Sequence, residues 1–226
     1  MTTGIIALSL VFRQVDTLAG WSPAALLAVL GVHVLVGGII RAAIQPNMAR
    51  LIGDVRDGAL DQLLLKPADG QALVSVREFR PWALVDVVVG GVVLAWALTN
   101  TARQTSPGDA LAFAFVLLLG ALTIYAVWLV LASTTFWVIR SGDLLELFNG
   151  IYAAGRWPVT IYPGWLRIGL TVLVPVAFAV TVPAQAITGQ ARGEAIVAST
   201  VVALVALLVA RIVWRRGLRR YSGASA

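Results

Sequence analysis

The sequence is organised as blocks of roughly twenty apolar residues, the length a helix needs to cross about 30 Å of hydrocarbon. Within the blocks, apolar residues run on without the alternation of a half-buried strand or the 3.6-residue stripe of a surface helix. Transmembrane β-strands also alternate, in segments of about ten residues, so helical spans are what remain. The expected fold class is all-α, a polytopic helical membrane protein. Charged residues make up only 12% of the chain, about half the share a soluble domain needs to cover its surface.

Five full spans are predicted, at about Pro23–Ile40, Trp82–Thr99, Ala110–Ile139, Trp165–Pro183 and Ala195–Val213. The third of these is long enough, at about 45 Å, that it must tilt or project. A partial span, Met1–Phe12, precedes them and reaches only about 18 Å. It lacks the charged start and the small-residue cleavage site of a signal peptide, and reads as the outer half of a span. Residues 1–226 form one transmembrane domain.

The cations orient it. Arg41, Arg50, Arg56, Lys66, Arg77 and Arg80 lie between the first and second full spans. Arg140, Arg156 and Arg167 lie between the third and fourth, and Arg211, Arg215, Arg216, Arg219 and Arg220 at the end. These fourteen fall on one side, against Arg13, Arg103 and Arg192 on the other. Cations concentrate on the cytoplasmic side, so the two larger loops and the C-terminus are expected in the cytoplasm. The same topology explains the net charge of +6. A nucleic-acid interface would need a folded basic module, and no soluble stretch is long enough to supply one. The arginine-rich end reads as an anchor on anionic lipid headgroups.

The first cytoplasmic loop is the most informative. Asp54 suits an N-cap, Asp57 adds negative charge to a first turn, and Pro67 is a stop. Val55, Ala59, Leu60, Leu63 and Leu64 form an apolar stripe. An amphipathic helix over 54–66 is expected, lying on the cytoplasmic side. Lipid-surface helices carry a basic polar face; this one is acidic, which favours docking a partner over resting on lipid. A second amphipathic helix is expected after the third full span. There Asp143 and Glu146 have capping-box spacing, and Leu144, Leu147, Phe148 and Ile151 form the stripe.

Several polar groups fall within spans, where ionisable side chains face a bundle interior, a partner or water. His33 is near the middle of the first full span; an interior hydrogen-bonded histidine and a substrate-lining one are equally open. Asp86 lies one turn into the second, within reach of a salt bridge to Arg41, Arg77 or Arg80. Ser133, Thr134 and Thr135 suit helix–helix hydrogen bonding, and Gly90, Gly91 and Ala95 suit close packing.

Other chemistry is absent. With no cysteine and one histidine, thiolate metal sites, iron–sulfur clusters, cysteine nucleophiles and His-cluster metals are excluded. The single lysine, Lys66, sits between Leu65 and Pro67, so no phosphate-binding Gly-Lys-Ser/Thr loop exists. No Gly-x-Ser-x-Gly occurs. Asp54, Asp57, Gly58 and Asp61 partly resemble the Asp-Gly motif of the phospholipid-making alcohol phosphotransferases, without its Ala-Arg or later aspartates.

The run Arg56-Asp57-Gly58-x-Leu60-Asp61-x-x-Leu64-x-x-Pro67 resembles the cytoplasmic loop of type-2 ABC export permeases, and in particular of small bacterial subunits working with a separate ATPase. Gly20-Trp21, Phe136-Trp137, Pro158, Tyr162-Pro163, Pro175 and Pro183-Ala184 match the same pattern, so the likeness covers nearly the whole chain. Members usually begin with an interfacial helix and a complete first span; here that region is Met1–Phe12. The resemblance implies a permease domain in a bacterial inner membrane, paired with an identical or homologous permease to form an export pathway. It also implies two copies of an ATPase carrying ATP and Mg, with no cofactor or catalytic site in this chain. The ATPase contact would then be Asp57, Leu60, Asp61, Leu64 and Lys66. His33, Asp86, Ser133, Thr134 and Thr135 are the interior or pathway candidates. The alternatives are a self-contained secondary transporter or channel, for which no inverted repeat is found, and an intramembrane lipid-modifying enzyme, weakened by the missing motifs.

Overall fold

The computed structural model describes residues 20–100, 105–137, 142–173 and 175–221. Met1–Phe12 lies outside them, as do the side chains of Asp143, Leu144 and Leu147. Every regular element among the described residues is helical.

Helix α1, Pro23–Ile39, starts where Ser22 accepts a hydrogen bond from the Ala25 amide and Pro23 presets the first turn. It does not stop at the predicted end of its span. A π turn, Ile40–Ile44, carries it into α2, Gln45–Arg56, so that Pro23–Arg56 is one 34-residue rod. The rod ends at Gly58, whose φ of 69° suits a residue without Cβ. There the Ala59 amide donates to the Asp54 carbonyl, the long bond of a Schellman end. Short α3, Leu60–Leu64, and α4, Gly70–Ser75, follow. The amphipathic helix expected over 54–66 is therefore two pieces. Asp54 is in the last turn of α2, ion-paired with Arg77, and caps nothing.

After a turn at 81–83, α5 spans Leu84–Thr99. Helix α6, Pro107–Ser133, is started by a capping box in which Ser106 and Asp109 satisfy each other's amides. One 3₁₀ turn extends it to Phe136. Helix α7, Gly142–Ala154, is the second connector the sequence predicts. Helix α10, Gly193–Leu218, carries Arg215 and Arg216 in its last turn, where the helix dipole favours cations.

The predicted span Trp165–Pro183 is not one helix. It is α8, Gly164–Ile168, then a π turn, then a second π turn at Ala177–Thr181 leading into α9, Val182–Ile187. Pro175 and Pro183 each remove a backbone donor and crowd the preceding turn. Among the described residues four helices, not five, are long and apolar enough to cross a membrane: Pro23–Arg56, Pro81–Thr99, Pro107–Phe136 and Gly193–Leu218.

The rod is the centre of the bundle. Of its most apolar window 67% is buried, against 17% for α10. Lipid tails are as apolar as leucine, so spans associate through close packing, and glycine permits it. A Cβ on Gly90 of α5 would lie 2.4 Å from the Leu35 amide nitrogen and 2.7 Å from the Gly31 carbonyl oxygen. One on Gly38 would meet Val87 at 2.7 Å. Gly91 faces open space and Ala95 is exposed, so of the three predicted packing residues only Gly90 is used. Helix α6 packs against α10, and through Gly120 against the backbone at Phe178 and Ala179.

Candidate functional site

Two arrangements of polar groups stand out. The first is a cavity of about 490 Å³ between the rod, the start of α5 and the end of α7. Its size is that of a small-molecule site. Its apolar lining includes Leu30, Val34 and Ile40, and its polar lining is His33, Arg41, Gln45, Asp86, Asn149, Tyr152 and Arg156. Arg41 donates from Nε and Nη2 to one oxygen of Asp86, at 3.1 and 2.8 Å, so the expected salt bridge takes Arg41 as its partner. The Tyr152 hydroxyl donates to the His33 carbonyl at 2.8 Å, and the two rings stack at 4.6 Å. His33 Nδ1 is buried, with no hydrogen-bond partner. His33 and Asp86, in different spans, thus line one cavity.

Ser133, Thr134 and Thr135 are not among its lining residues. Thr134 and Thr135 donate back to the Leu131 and Ala132 carbonyls of their own helix, at 2.6 and 2.7 Å. Ser133 is buried with its Oγ unpartnered.

The second arrangement is the loop end of the bundle. Leu60 is 0% exposed and packs into the chain's own core with Leu63. Leu60 therefore anchors α3 and offers nothing outward. Leu65, by contrast, is 85% exposed, beside exposed Asp57, Leu64 and Lys66 and half-buried Asp61. Sequence reasoning passed over Leu65 because it falls off the stripe drawn through a single helix.

Behind this surface the loop is tied to the spans. Buried Asn47 fills all its hydrogen-bonding positions: it donates to the Ala43 and Glu78 carbonyls and accepts from the Arg77 and Glu78 amides. Arg50 pairs with Glu78 at 2.7 Å. Asp69 caps α4 through the Ala72 amide and grips Arg211 of α10 with both oxygens, while Arg211 also reaches Gln71. Ser75 and Gln71 bond the Tyr125 hydroxyl of α6. The sequence signal for Asn47 was faint, a single amide after Pro46 in an otherwise apolar turn.

Arg211, and then the Ala72 amide, hold the Asp69 carboxyl down from 3.8 to about 2. A depressed carboxylate contributes stability above its unfolded value and loses it as pH falls through the folded one. Asp69→Asn should therefore lower the melting temperature by a constant amount from about pH 5 upward, and by progressively less below about pH 4. The pair is partly exposed, which limits the effect to about 1 kcal/mol. Melts of both proteins in neutral detergent across pH 2 to 8 check this; a gap that widens in acid would contradict it.

Long apolar helices packed around a polar cavity, with a loop wired into them, are the architecture of a multi-pass membrane protein. The chain belongs to the ABC-2 family transporter proteins, whose sequence model matches residues 1–225. No curated protein and no solved structure matches it. Proteins of this family are membrane permease components of ABC transporters, not catalytic enzymes themselves, and the family implies association with an ABC ATPase.

Proposed function

We propose that this chain is the pathway-forming permease of an ATP-driven exporter in a bacterial inner membrane, acting as a dimer with a homologous or identical permease. Two copies of a separate ATPase, carrying ATP and Mg, dock from the cytoplasm against the loop end. The docking patch comprises Asp57, Asp61, Leu64, Leu65 and Lys66, with Leu60 as its internal anchor. The observation that carries this is the fully exposed Leu65 on a segment locked beneath by Leu60 and Leu63. An apolar residue so exposed at the polar end of a membrane protein suits a partner. The ties from α4 through Asp69 and Gln71 to Arg211, and through Ser75 to Tyr125, supply a route from that patch to α6 and α10.

One observation favours a self-contained transporter, the interrupted helix at 164–187, since such proteins use broken helices. Family membership weighs against it. Purification of the tagged chain from its native membrane in mild detergent separates the two. A soluble ATPase in near-equimolar amount is the expected companion. The chain emerging alone and stable, even after cross-linking, would sink the exporter reading.

A further inference from the structure

We propose that the cavity beside the rod binds the anionic headgroup of an amphipathic cargo, a phosphate or carboxylate carrying an apolar chain. The inference rests on the permease reading and names the chemistry of what is carried.

It follows from a charge count over the cavity wall. Arg41 is matched by Asp86, at 2.8 Å. Arg156, which also lines the cavity, has no acidic partner among the described residues, which leaves the cavity with one uncompensated cation. An unpaired guanidinium lining a half-open, partly apolar cavity is a receptor for an oxyanion, which it can grip with two parallel N–H donors. Neutral donors stand beside it: the amides of Gln45 and Asn149 make no hydrogen bond to the described residues. Leu30, Val34 and Ile40 give the wall an apolar surface on the same face of the rod that carries His33 and Arg41, and that surface suits an alkyl chain. An inorganic ion would leave that wall empty. A cationic amphiphile would meet Arg156 with like charge.

Residue 155 supports the reading. A Cβ there would lie 2.3 Å from Val176 Cγ1 and 3.1 Å from the Tyr152 carbonyl oxygen, so glycine lets the chain leading into Arg156 pack tightly beside the cavity.

The test is binding to the full chain, purified with whatever ATPase accompanies it, in a neutral maltoside detergent. Dodecyl phosphate, dodecyltrimethylammonium and inorganic phosphate are compared by native mass spectrometry and by thermal shift. Dodecyl phosphate should bind saturably. Arg156→Gln should weaken it at least about tenfold, the ordinary scale for one charge-assisted contact, and Arg156→Lys should restore part of the loss. Asn149→Trp, at an exposed position that leaves the core untouched, should block the cavity and abolish binding. Equal binding of the two dodecyl amphiphiles, or an unchanged affinity in both Arg156→Gln and Asn149→Trp, would overturn the proposal. Inorganic phosphate binding as tightly as dodecyl phosphate would overturn its amphipathic part and make this a free-anion site. Because the ATPase is scored in the same purification, loss of the headgroup site with the ATPase retained leaves the exporter reading standing. Binding without any ATPase would leave the site and remove the exporter.

Discussion

Gly90→Ala should prevent the α1–α5 pair from closing and lower stability by about 3 kcal/mol or more, near the upper end for overpacking. The added methyl would sit 2.4 Å from the Leu35 nitrogen and 2.7 Å from the Gly31 oxygen. Both are backbone atoms, which cannot rotate aside as a side chain can, so the helices themselves must separate. Separation also forfeits the dispersion contacts along the crossing, which are the main attraction between spans in lipid. Gly91→Ala is the matched control. Its Cβ meets nothing within 4 Å, and alanine is the better helix former by about 1 kcal/mol. Thermal melts and membrane accumulation of the two variants give the result. A Gly90 variant as stable as its Gly91 neighbour would mean that the two helices do not cross at Gly31 and Gly90.

Leu65→Asp should reduce capture of the partner ATPase roughly thirtyfold while leaving the melting temperature of the permease unchanged. A central apolar anchor is worth about 2 kcal/mol at an interface, and a substitution at an exposed site shifts stability by no more than about 0.5 kcal/mol. Leu60→Ala should do the reverse in origin. Leu60 is 0% exposed in the core, so its truncation should cost about 3 kcal/mol of fold stability. Any loss of ATPase should then track loss of folded permease. Quantifying ATPase per folded permease, by gel filtration and mass spectrometry, separates the two. Wild-type capture by the Leu65 variant would put the docking surface elsewhere.

The all-helical class and the position of most long apolar helices were legible in the sequence because hydrocarbon thickness dictates block length. Four of the five predicted full spans are long helices. The fifth failed because a hydropathy block reports apolarity and not hydrogen bonding: Pro175 leaves the block apolar where the helix is interrupted, while Pro183 is accommodated within the short helix Ala177–Ile187. The 54–66 helix failed at Gly58. A helical stripe can be drawn through Val55, Leu60 and Leu64, but the glycine in the middle of it is where the rod ends. Asp54 then looked like a beginning when it stands at an end.

The cavity was half legible. His33 and Asp86 are conspicuous because ionisable groups in apolar blocks are expensive, and Arg41 was among the partners anticipated for Asp86. Arg156 and Tyr152 were invisible as site residues. They lie in a connector more than a hundred positions away in sequence, and only the packing of α7 beside the rod brings them to His33.

The rod has a mechanical consequence. Thirty-four helical residues extend about 50 Å, and the π turn at Ile40–Ile44 falls near their midpoint. Such turns are local weak points in a helix. A change of about ten degrees in bend there would swing either arm through about 4 Å at its tip. One arm holds His33; the other carries Asn47, Arg50 and Asp54, where the loop is fastened. Arg41 sits in the fulcrum itself. Bending there would change the angle between the two arms and so reshape the cavity, whose lining residues Gly37, Arg41 and Gln45 run across the turn.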